Sequence, residues 1–391
     1  MQKIASLNFC TPDLKCKKPA GNRNNKMINS GSDAVLQNAL HGQKLSPDEI
    51  RHLLGLREGK AVSRLFRTAR QIRGRHFGNK VFLYGFLYFS TFCRNNCRFC
   101  QFRKANFSLE RYRKTDSEII EAARRMADAG VHLIDLTMGE DPDFLQMNSN
   151  GSVRLENLVH KIKTETGLPI MVSPGVISSD MLKRLAEAGA DWYACYQETH
   201  HRPLFERLRI GQSYDERWQA KKYAQNAGLL IEEGILTGVG ETADDILHSL
   251  EMMRSLKADQ VRIMSFRPQN GIPMSDDLKA DDLSEPVTIA VMRLIFPGAM
   301  IPASSDVDGP DGLRQRLRAG ANVITSLIPP GKGFTGVVTA DTDSAQRMPR
   351  SIAPVLEHCA LEAASAKDYM RWIETRRSQS EFHQKLQDSV C

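Results

Sequence analysis

The feature that most constrains the fold is a regular alternation of apolar runs and amphipathic segments between residues 79 and 340. The apolar runs have the length and composition of β-strands, and they lie at 81–89, 131–137, 168–173, 191–196, 229–236, 260–266, 299–304 and 321–327. Helical periodicity marks the segments between them, at 116–129, 152–166, 178–188, 213–226, 242–256, 284–296 and 310–318. Eight such alternations over about 250 residues predict an α/β fold, a (β/α)8 barrel of the TIM type. An open doubly wound sheet is the alternative, although such sheets usually have fewer strands.

The two ends of the chain depart from this alternation. Residues 1–33 lack an apolar period and are rich in Lys, Asn, Gly and Pro, which predicts a disordered basic tail. Residues 1–30 carry six Lys and Arg against one Asp, so the formal net charge of +7 arises mostly there. No aromatic residue beyond Phe9 interleaves these charges, and we therefore expect no nucleic-acid partner. Helical patterns predict N-terminal helices over 34–78 and a helical extension over 341–391, packed on the outside or one end of the barrel.

The chain shows no pattern typical of export or membrane insertion. No apolar stretch approaches the roughly 18–20 residues that span a bilayer, and the first thirty residues lack an apolar signal core. A cytoplasmic protein without membrane contact is therefore expected. Its eight cysteines are not expected to form disulfides in a reducing compartment, and clustered cysteines there indicate metal or redox chemistry.

Three cysteines, Cys93, Cys97 and Cys100, form a C-x3-C-x2-C cluster directly after the first predicted strand. Barrel enzymes carry their chemistry at this end of the strands. Thiolates suit iron–sulfur clusters or zinc, but a structural zinc site needs four protein ligands. The nearest histidines, His76 and His132, lie outside the loop, and three cysteines among Arg and Asn are not typical of a core. The spacing predicts a [4Fe–4S] cluster on three thiolates, with one iron left open.

This segment resembles the signature of the radical S-adenosylmethionine (SAM) superfamily, C-x3-C-x-aromatic-C, with Phe99 at the aromatic position. The resemblance extends along nearly all of residues 34–340. It implies that SAM chelates the open iron through its amino and carboxylate groups, and that an electron from the cluster releases a 5′-deoxyadenosyl radical. The hard chemistry then belongs to the cofactors, while the protein aims and shields the radical.

The resemblance also implies which residues contact SAM. Gly139 and Glu140 resemble the turn that accepts the methionyl ammonium, with Met where the family has the first Gly; an ordinary turn with solvent-facing acids is the alternative. Ser173, at the end of the third strand, is expected to add a polar contact. In the biotin synthase-like branch, positions matching Glu198 and Arg217 contact the amino-acid portion and the ribose. For Arg217, an ion pair on a helix surface is the alternative.

Polar and charged residues at strand ends predict a substrate site. Asp135 lies within the second strand and Arg262 in the sixth, while Ser304 and Asp306 lie at and after the end of the seventh. The ends of barrel strands converge on one chamber. One Arg with two Asp suits an amino acid that carries a second amine. The alternative is an internal Arg–Asp pairing that only stabilises the barrel, although such buried pairs are costly.

Longer runs resemble one family of the biotin synthase-like branch, the methylornithine synthases of pyrrolysine biosynthesis. They are YFSTFCRNNCRFCQF, DLTMGEDP, YQETHHRPLFERLRIGQSYDER, GILTGVGET and IPASSDVDGPDG. This resemblance implies isomerisation of L-lysine to (3R)-3-methyl-D-ornithine, by hydrogen abstraction, fragmentation and recombination at a new carbon. It implies Asp135, Arg262, Ser304 and Asp306 as substrate ligands. An electron donor such as a ferredoxin or flavodoxin is expected.

Two other functions are weighed against this one. The first is another biotin synthase-like radical SAM reaction, such as assembly of a hydrogenase cofactor. The second is a non-catalytic iron–sulfur carrier, which the open iron disfavours because carriers usually close the cluster with four cysteines. Sulfur insertion needs a second cluster in the barrel, yet Cys195 is the only other cysteine in the predicted barrel strands. We expect Cys195 to be a buried core thiol.

Overall fold

All eight strands predicted from the apolar runs are present in the computed structural model, which describes residues 23–57, 59–146, 150–274, 284–305, 308–328 and 348–388. The strands are β1 (Lys80–Ser90), β2 (Leu133–Met138), β3 (Ile170–Ser173), β4 (Trp192–Ala194), β5 (Leu230–Thr237), β6 (Gln260–Ser265), β7 (Pro302–Ser304), β8 (Val323–Leu327) and a short β9 (Glu362–Ala363). The helices are α1 (Arg23–Leu40), α2 (Pro47–Leu54), α3 (Gly59–Phe77), α4 (Asp116–Asp128), α5 (Pro142–Leu145), α6 (Asn150–Thr166), α7 (Ser179–Glu187), α8 (Arg202–Leu208), α9 (Tyr214–Asn226), α10 (Ala243–Leu256), α11 (Ser284–Ile295), α12 (Gly309–Arg318), α13 (Pro349–His358) and α14 (Ala366–Asp388).

The first eight strands form one parallel sheet in the order β6-β5-β4-β3-β2-β1-β8-β7. The ring is completed beside β6, where the backbone N–H of Val261 donates to the carbonyl of Met300 at 3.0 Å, just before β7. Each strand thus has a neighbour on both sides. The predicted (β/α)8 barrel is confirmed, and the open doubly wound sheet is excluded.

Local sequence signals set the start of several helices. Ser46 and Thr115 cap α2 and α4, and in each case a Glu three residues later completes a reciprocal capping box. Such a cap contributes about 1 kcal/mol, because it satisfies backbone N–H groups that the helix itself leaves unpaired. No helix in the described ranges is long and apolar enough to cross a membrane.

Strand β5 shows how the barrel separates two layers of charge. Glu232 and Glu233 are adjacent, so the period of two sends their side chains to opposite faces of the sheet. Glu232 pairs with Arg262 of β6 inside the barrel, whereas Glu233 pairs with Lys221 of α9 outside it. The interior of the barrel therefore carries a charged layer beneath the carboxyl ends of the strands.

The N-terminal boundary differs from the prediction. Helix α1 begins at Arg23, so residues 23–33 of the predicted disordered tail are helical, whereas residues 1–22 lie outside the described residues. Leu36 and Ala39, spaced by one turn, are buried. The sequence of the first turns of α1 is rich in Asn and shows no apolar period, which is why the sequence pattern places the start of the helix too late.

The C-terminal extension also differs from a continuous helix. Strand β9 interrupts it and pairs in parallel with the start of β1. Helix α14 then covers the amino ends of the strands, where Arg377 lies 2.9 Å from Asp191, before β4, and Arg376 lies 3.0 Å from Asp259, before β6. Packing on the outside or on one end of the barrel was expected, and the structure has the second of these. The strand was not predicted, because two residues are too few to show a period in the sequence.

Candidate active site

A cavity of about 290 Å³ lies at the carboxyl ends of the strands. All the predicted cluster, SAM and substrate residues that the structure describes line it: Cys93, Cys97, Phe99, Cys100, Asp135, Gly139, Glu140, Ser173, Glu198, Arg217, Arg262 and Ser304. Asp306, the remaining predicted substrate ligand, lies outside the described residues. Residues distant in sequence thus share one chamber, at the end of the barrel where such enzymes carry their chemistry.

The three thiols of the loop after β1 lie against this cavity. Cys97 is buried, and Cys93 and Cys100 are half-buried. Gln212 Nε2 lies 3.0 Å and Arg209 Nη1 3.5 Å from the sulfur of Cys97, so two donors face that sulfur. Burial raises the pKa of the Cys93 and Cys100 thiols and so disfavours their thiolate forms. Metal ligation overcomes this effect because it stabilises the thiolate.

The donor set fits an iron–sulfur cluster with an open coordination site. No three His, Cys, Asp or Glu side chains in the described ranges converge on a single ion position. The cysteines of a cubane bind different irons and need not converge in that way. Three thiols beside a chamber, with N–H donors directed at one sulfur, match a cluster held on one side and accessible on the other.

The turn after β2 holds the cysteine loop in place. The backbone N–H of Arg94 donates to the carbonyl of Glu140 at 2.9 Å. A Cβ added to Gly139 would overlap the carbonyl oxygen of Phe92 and lie 2.8 Å from the Cβ of Cys93. Position 139 therefore requires a glycine for close approach of two backbones, rather than for an unusual backbone conformation.

Glu140 and Arg217 form a buried ion pair at 2.7 Å. Glu140 also accepts from Arg94 Nε at 3.0 Å and from the backbone N–H of Val176 at 3.2 Å. Burial alone would raise the pKa of Glu140, but Arg217 and the other donors hold it below its usual value. The structure therefore differs from both alternatives to SAM binding, a turn with solvent-facing acids and an ion pair on a helix surface. Glu140 and Arg217 are both buried.

Cys195 is buried, as expected, but it is more than a core residue. It lines the cavity and accepts from Arg217 Nη1, which lies 2.9 Å from its sulfur. Arg217 also donates to Gln212, the residue that faces Cys97. A continuous set of hydrogen bonds therefore joins the cluster loop to the end of β4.

Glu198 is held in a left-handed backbone conformation with φ of 67°, and its carboxylate lies 2.5 Å from Arg209 Nη2. Burial raises the pKa of Glu198, and the guanidinium opposes this shift. Arg209 also lies over the ring of Phe99, 5.3 Å from its centroid. Arg209 was not predicted from the sequence, because it follows a short helix and matches no spacing rule.

The inner end of the chamber carries Asp135 and Arg262. Asp135 accepts from the hydroxyl of Ser173 at 2.7 Å, so the residue predicted to touch SAM also contacts a predicted substrate ligand. Burial, which the Ser173 hydrogen bond opposes, raises the pKa of Asp135 to about 8. This carboxyl is therefore largely neutral at pH 7 in the described structure.

Arg262 is fixed by three groups and keeps one nitrogen free. Its Nε lies 2.7 Å from Glu232, while Nη1 lies 3.4 Å from Ser304 Oγ and 3.2 Å from Thr325 Oγ1. Its Nη2 is buried without a hydrogen-bond partner among the described residues, as is Oε2 of Glu232. Among the described residues, the acid paired with Arg262 is thus Glu232 and not Asp135. Two adjacent Glu within an apolar strand were the sequence signal for this partner.

A closed parallel barrel, a three-thiol loop at its carboxyl ends and a buried polar chamber beside that loop define a radical SAM enzyme. A family model described as the Radical SAM superfamily matches residues 87–253. The chain is 41% identical over 346 residues to the 3-methylornithine synthase of Methanosarcina acetivorans, which covers 88% of this chain and 97% of that protein. It therefore belongs to the 3-methylornithine synthase family of the radical SAM superfamily, whose cofactors are a [4Fe–4S] cluster and SAM.

Two further comparisons agree with this membership. A crystal structure of methylornithine synthase (PylB) matches with a TM-score of 0.81 and 40% identity, over 86% of this chain and 99% of that one. The [FeFe] hydrogenase maturase subunit HydE of Thermotoga maritima is 30% identical over 288 residues, which cover 73% of this chain and 81% of that protein. The chain thus also resembles a protein with a different name and role, a hydrogenase maturase subunit.

Proposed function

We propose that this chain isomerises L-lysine to (3R)-3-methyl-D-ornithine in pyrrolysine biosynthesis. The observation that carries the proposal is the shared cavity: Arg262 and Asp135 line the same chamber as the thiols of Cys93, Cys97 and Cys100. A guanidinium and a carboxyl are the groups that recognise the carboxylate and an ammonium of a diamino acid.

Arg262 binds the lysine carboxylate. Its Nη2 has no hydrogen-bond partner in the part of the chain that the structure describes, and burial makes an unmatched donor costly until a ligand accepts from it. Glu232 and Thr325 fix the plane of the guanidinium, so its free edge is oriented before the substrate arrives. Ser304 supports the same nitrogen as Thr325 and lies within reach of the bound amino acid.

Asp135 binds a substrate ammonium, with Asp306 as the predicted second carboxylate. Because the pKa of Asp135 is raised to about 8 by burial, the carboxyl must lose its proton to form an ion pair at pH 7. The ammonium supplies the positive charge that makes this loss favourable. Lysine binding is therefore coupled to proton release.

The SAM end of the chamber is formed by Gly139, Glu140, Glu198 and Arg217, with Phe99 beside it. When bound, the cluster and SAM supply a 5′-deoxyadenosyl radical. The buried Nε of Arg217 has no hydrogen-bond partner within the described ranges, so it can donate to the SAM carboxylate, and Glu140 holds that guanidinium in place. Glu140 already accepts from Arg217, Arg94 and the backbone N–H of Val176, so little of its carboxylate is left for the SAM ammonium. We therefore assign Glu140 mainly to positioning Arg217.

The barrel encloses the fragments that such a rearrangement generates. The amino ends of the strands are covered by α14, so the chamber opens at the carboxyl ends alone among the described parts of the fold. Exclusion of water protects reactive intermediates from side reactions. The electron comes from a donor such as a ferredoxin or flavodoxin, and the reaction takes place in the cytoplasm, where thiols stay reduced.

The test is anaerobic incubation of the reconstituted enzyme with SAM, dithionite and isotopically labelled lysine. The expected products are labelled methylornithine and 5′-deoxyadenosine, both detected by mass spectrometry. Cys97→Ala should lose the visible absorption of the cluster, whereas Cys195→Ala should keep it. Release of 5′-deoxyadenosine with lysine unchanged would reject the lysine substrate and favour another reaction, such as the hydrogenase-cofactor assembly suggested by the HydE likeness.

A further inference from the structure

The outer side of the cysteine loop concentrates positive charge. Residues 93–114 contain seven Lys and Arg but only one acid, Glu110. Some of these cations are neutralised within the fold, such as Arg94 by Glu140 and Arg113 by Asp141. Among the described residues, four others form no ion pair: Arg111, which donates to backbone carbonyls instead, and Arg98, Arg103 and Lys104. The loop that holds the cluster therefore presents uncompensated positive charge.

The same place carries the two most exposed large apolar side chains of the described chain. Phe107, in the cysteine loop, is 93% exposed, and Ile210, just after α8, is 52% exposed. The two loops are joined, because the backbone N–H of Arg98 donates to the carbonyl of Leu208 at 2.9 Å. An exposed aromatic in a loop rich in Lys and Arg is typical of a protein-binding surface rather than of a solvated loop.

Short hydrogen-bonded paths connect this surface to the thiols. Asn106, the neighbour of Phe107, donates through Nδ2 to the carbonyl of Gln101 at 3.0 Å, and Gln101 follows Cys100. The backbone N–H of Arg103 donates to the carbonyl of Cys100 at 3.2 Å. A protein seated on Phe107 would thus lie close to the cluster ligands without entering the substrate chamber.

We infer that Arg98, Arg103, Lys104, Phe107 and Ile210 form a docking patch for an acidic one-electron-donor protein. This inference rests on the proposed radical SAM function, which requires an external electron. In the transfer the donor's flavin hydroquinone loses one electron and becomes the semiquinone, and the [4Fe–4S] cluster takes that electron and passes from the 2+ to the 1+ state. Opposite charges steer the encounter, and the exposed apolar pair supplies the contact that holds it.

The test uses an acidic flavodoxin and anaerobically reconstituted full-length enzyme. Calorimetry gives the Kd of the complex, and stopped-flow absorbance follows hydroquinone oxidation with SAM but without lysine. Lys104→Glu should slow the second-order step about three- to tenfold at 50 mM salt, and the effect should shrink at 300 mM because salt screens exposed charges. Phe107→Ser should raise the Kd about tenfold at both salt concentrations.

Matched controls separate docking from folding. Lys161→Glu reverses an exposed charge on α6, and Tyr223→Ser removes an exposed aromatic from α9; both should bind flavodoxin like the wild type. Dithionite-driven formation of 5′-deoxyadenosine and the iron content should be unchanged in all variants. If Phe107→Ser loses iron, Ile210→Ser repeats the measurement on the second loop.

Unchanged Kd and oxidation rates in the patch variants, or an equal loss in Lys161→Glu, would overturn the docking patch. The proposed lysine reaction is judged separately, because flavin oxidation is measured without lysine. Failure of dithionite-reduced enzyme to convert lysine, with normal flavin oxidation, would reject the substrate and leave the docking patch standing.

Discussion

Arg262 and Glu232 form an ion pair inside the barrel, with Nε of the guanidinium 2.7 Å from a carboxylate oxygen and both side chains almost fully buried. Removing charges from water costs several kcal/mol per ion, so such a pair is weak evidence for a purely stabilising role. Among the described residues, Nη2 of Arg262 and Oε2 of Glu232 have no hydrogen-bond partner, and Arg262 lines the chamber. A buried donor directed into a chamber, with its hydrogen-bonding capacity unused by the protein residues described, is typical of a ligand-binding group.

Replacing one partner should cost more stability than replacing both. Arg262→Met leaves Glu232 as an uncompensated buried charge and should lower the free energy of unfolding by about 3–5 kcal/mol. Arg262→Met with Glu232→Gln should recover most of that loss. Urea denaturation of both variants measures this, and equal stabilities would show that the pair does not behave as one unit.

The same variants test the role of Arg262 in binding. Both should fail to convert lysine, because the guanidinium is gone, yet both should still cleave SAM at a slow uncoupled rate. Liquid chromatography of 5′-deoxyadenosine and methylornithine separates these outcomes. Normal methylornithine formation by the double variant would mean that another group binds the carboxylate.

Asp135 should make stability fall as pH rises. The unfolded carboxyl has a pKa near 3.8 and the folded one about 8, so between these values the folded state holds a proton that the unfolded state has lost. The free energy of unfolding therefore decreases by up to about 1.4 kcal/mol per pH unit across this window. Asp135→Asn retains an acceptor for Ser173 and lacks the titration, so its stability relative to the wild type should increase from pH 5 to pH 8.

Lysine binding should release a proton at pH 7 for the same reason. Calorimetric titrations in two buffers with different ionisation enthalpies would reveal the released proton as a difference in apparent heat. Asp135→Asn, if it still binds lysine, should remove that difference. A heat that is independent of the buffer in the wild type would contradict ionisation of Asp135 on binding.

Strand and helix positions followed from the sequence because each element carries its own periodic signal. Predicted runs such as 116–129 and 213–226 agree with α4 and α9 to within a residue or two. The cysteine loop was equally visible, since its spacing is local. In contrast, Glu232 and Arg209 act through contacts that only the closed barrel creates, and no local pattern names the partner of a buried charge.

Two structural features could not be predicted from the sequence, for a related reason. Ser173 lies at a strand end, as expected, but register places its hydroxyl on Asp135 of the neighbouring strand. Strand β9 is too short to have a period, and hydrogen bonds from the backbone N–H groups of Glu362 and Ala364 to the carbonyls of Asn79 and Val81 join it to the start of β1. Both features depend on contacts between segments that are distant in sequence, which no local pattern reveals.

Gly139→Ala should prevent stable loading of the cluster. The added methyl would overlap the carbonyl of Phe92 and approach Cys93, so either the turn or the cysteine loop must move. Iron content and visible absorption after anaerobic reconstitution measure the effect, and a loss of most of the iron is expected.

Gly74→Ala is the matched control for this substitution. Gly74 lies within α3, where an added Cβ meets no atom within 4 Å, so the change should leave cluster loading intact and increase stability by roughly 0.5–1 kcal/mol. Full iron loading in Gly139→Ala would show that the loop adapts and that close packing at this turn is not required.

The hydroxyls of Tyr84 and Tyr369 lie 2.8 Å apart in the buried contact between β1 and α14. Tyr369→Phe leaves the Tyr84 hydroxyl buried without this partner and should cost about 1–3 kcal/mol, whereas Tyr84→Phe with Tyr369→Phe should cost less than the sum of the single changes. Urea denaturation of the four proteins in the cycle measures the coupling. Because Tyr84 lies in the barrel wall on which α14 closes, additive costs would mean that α14 is not held to the barrel through this hydrogen bond.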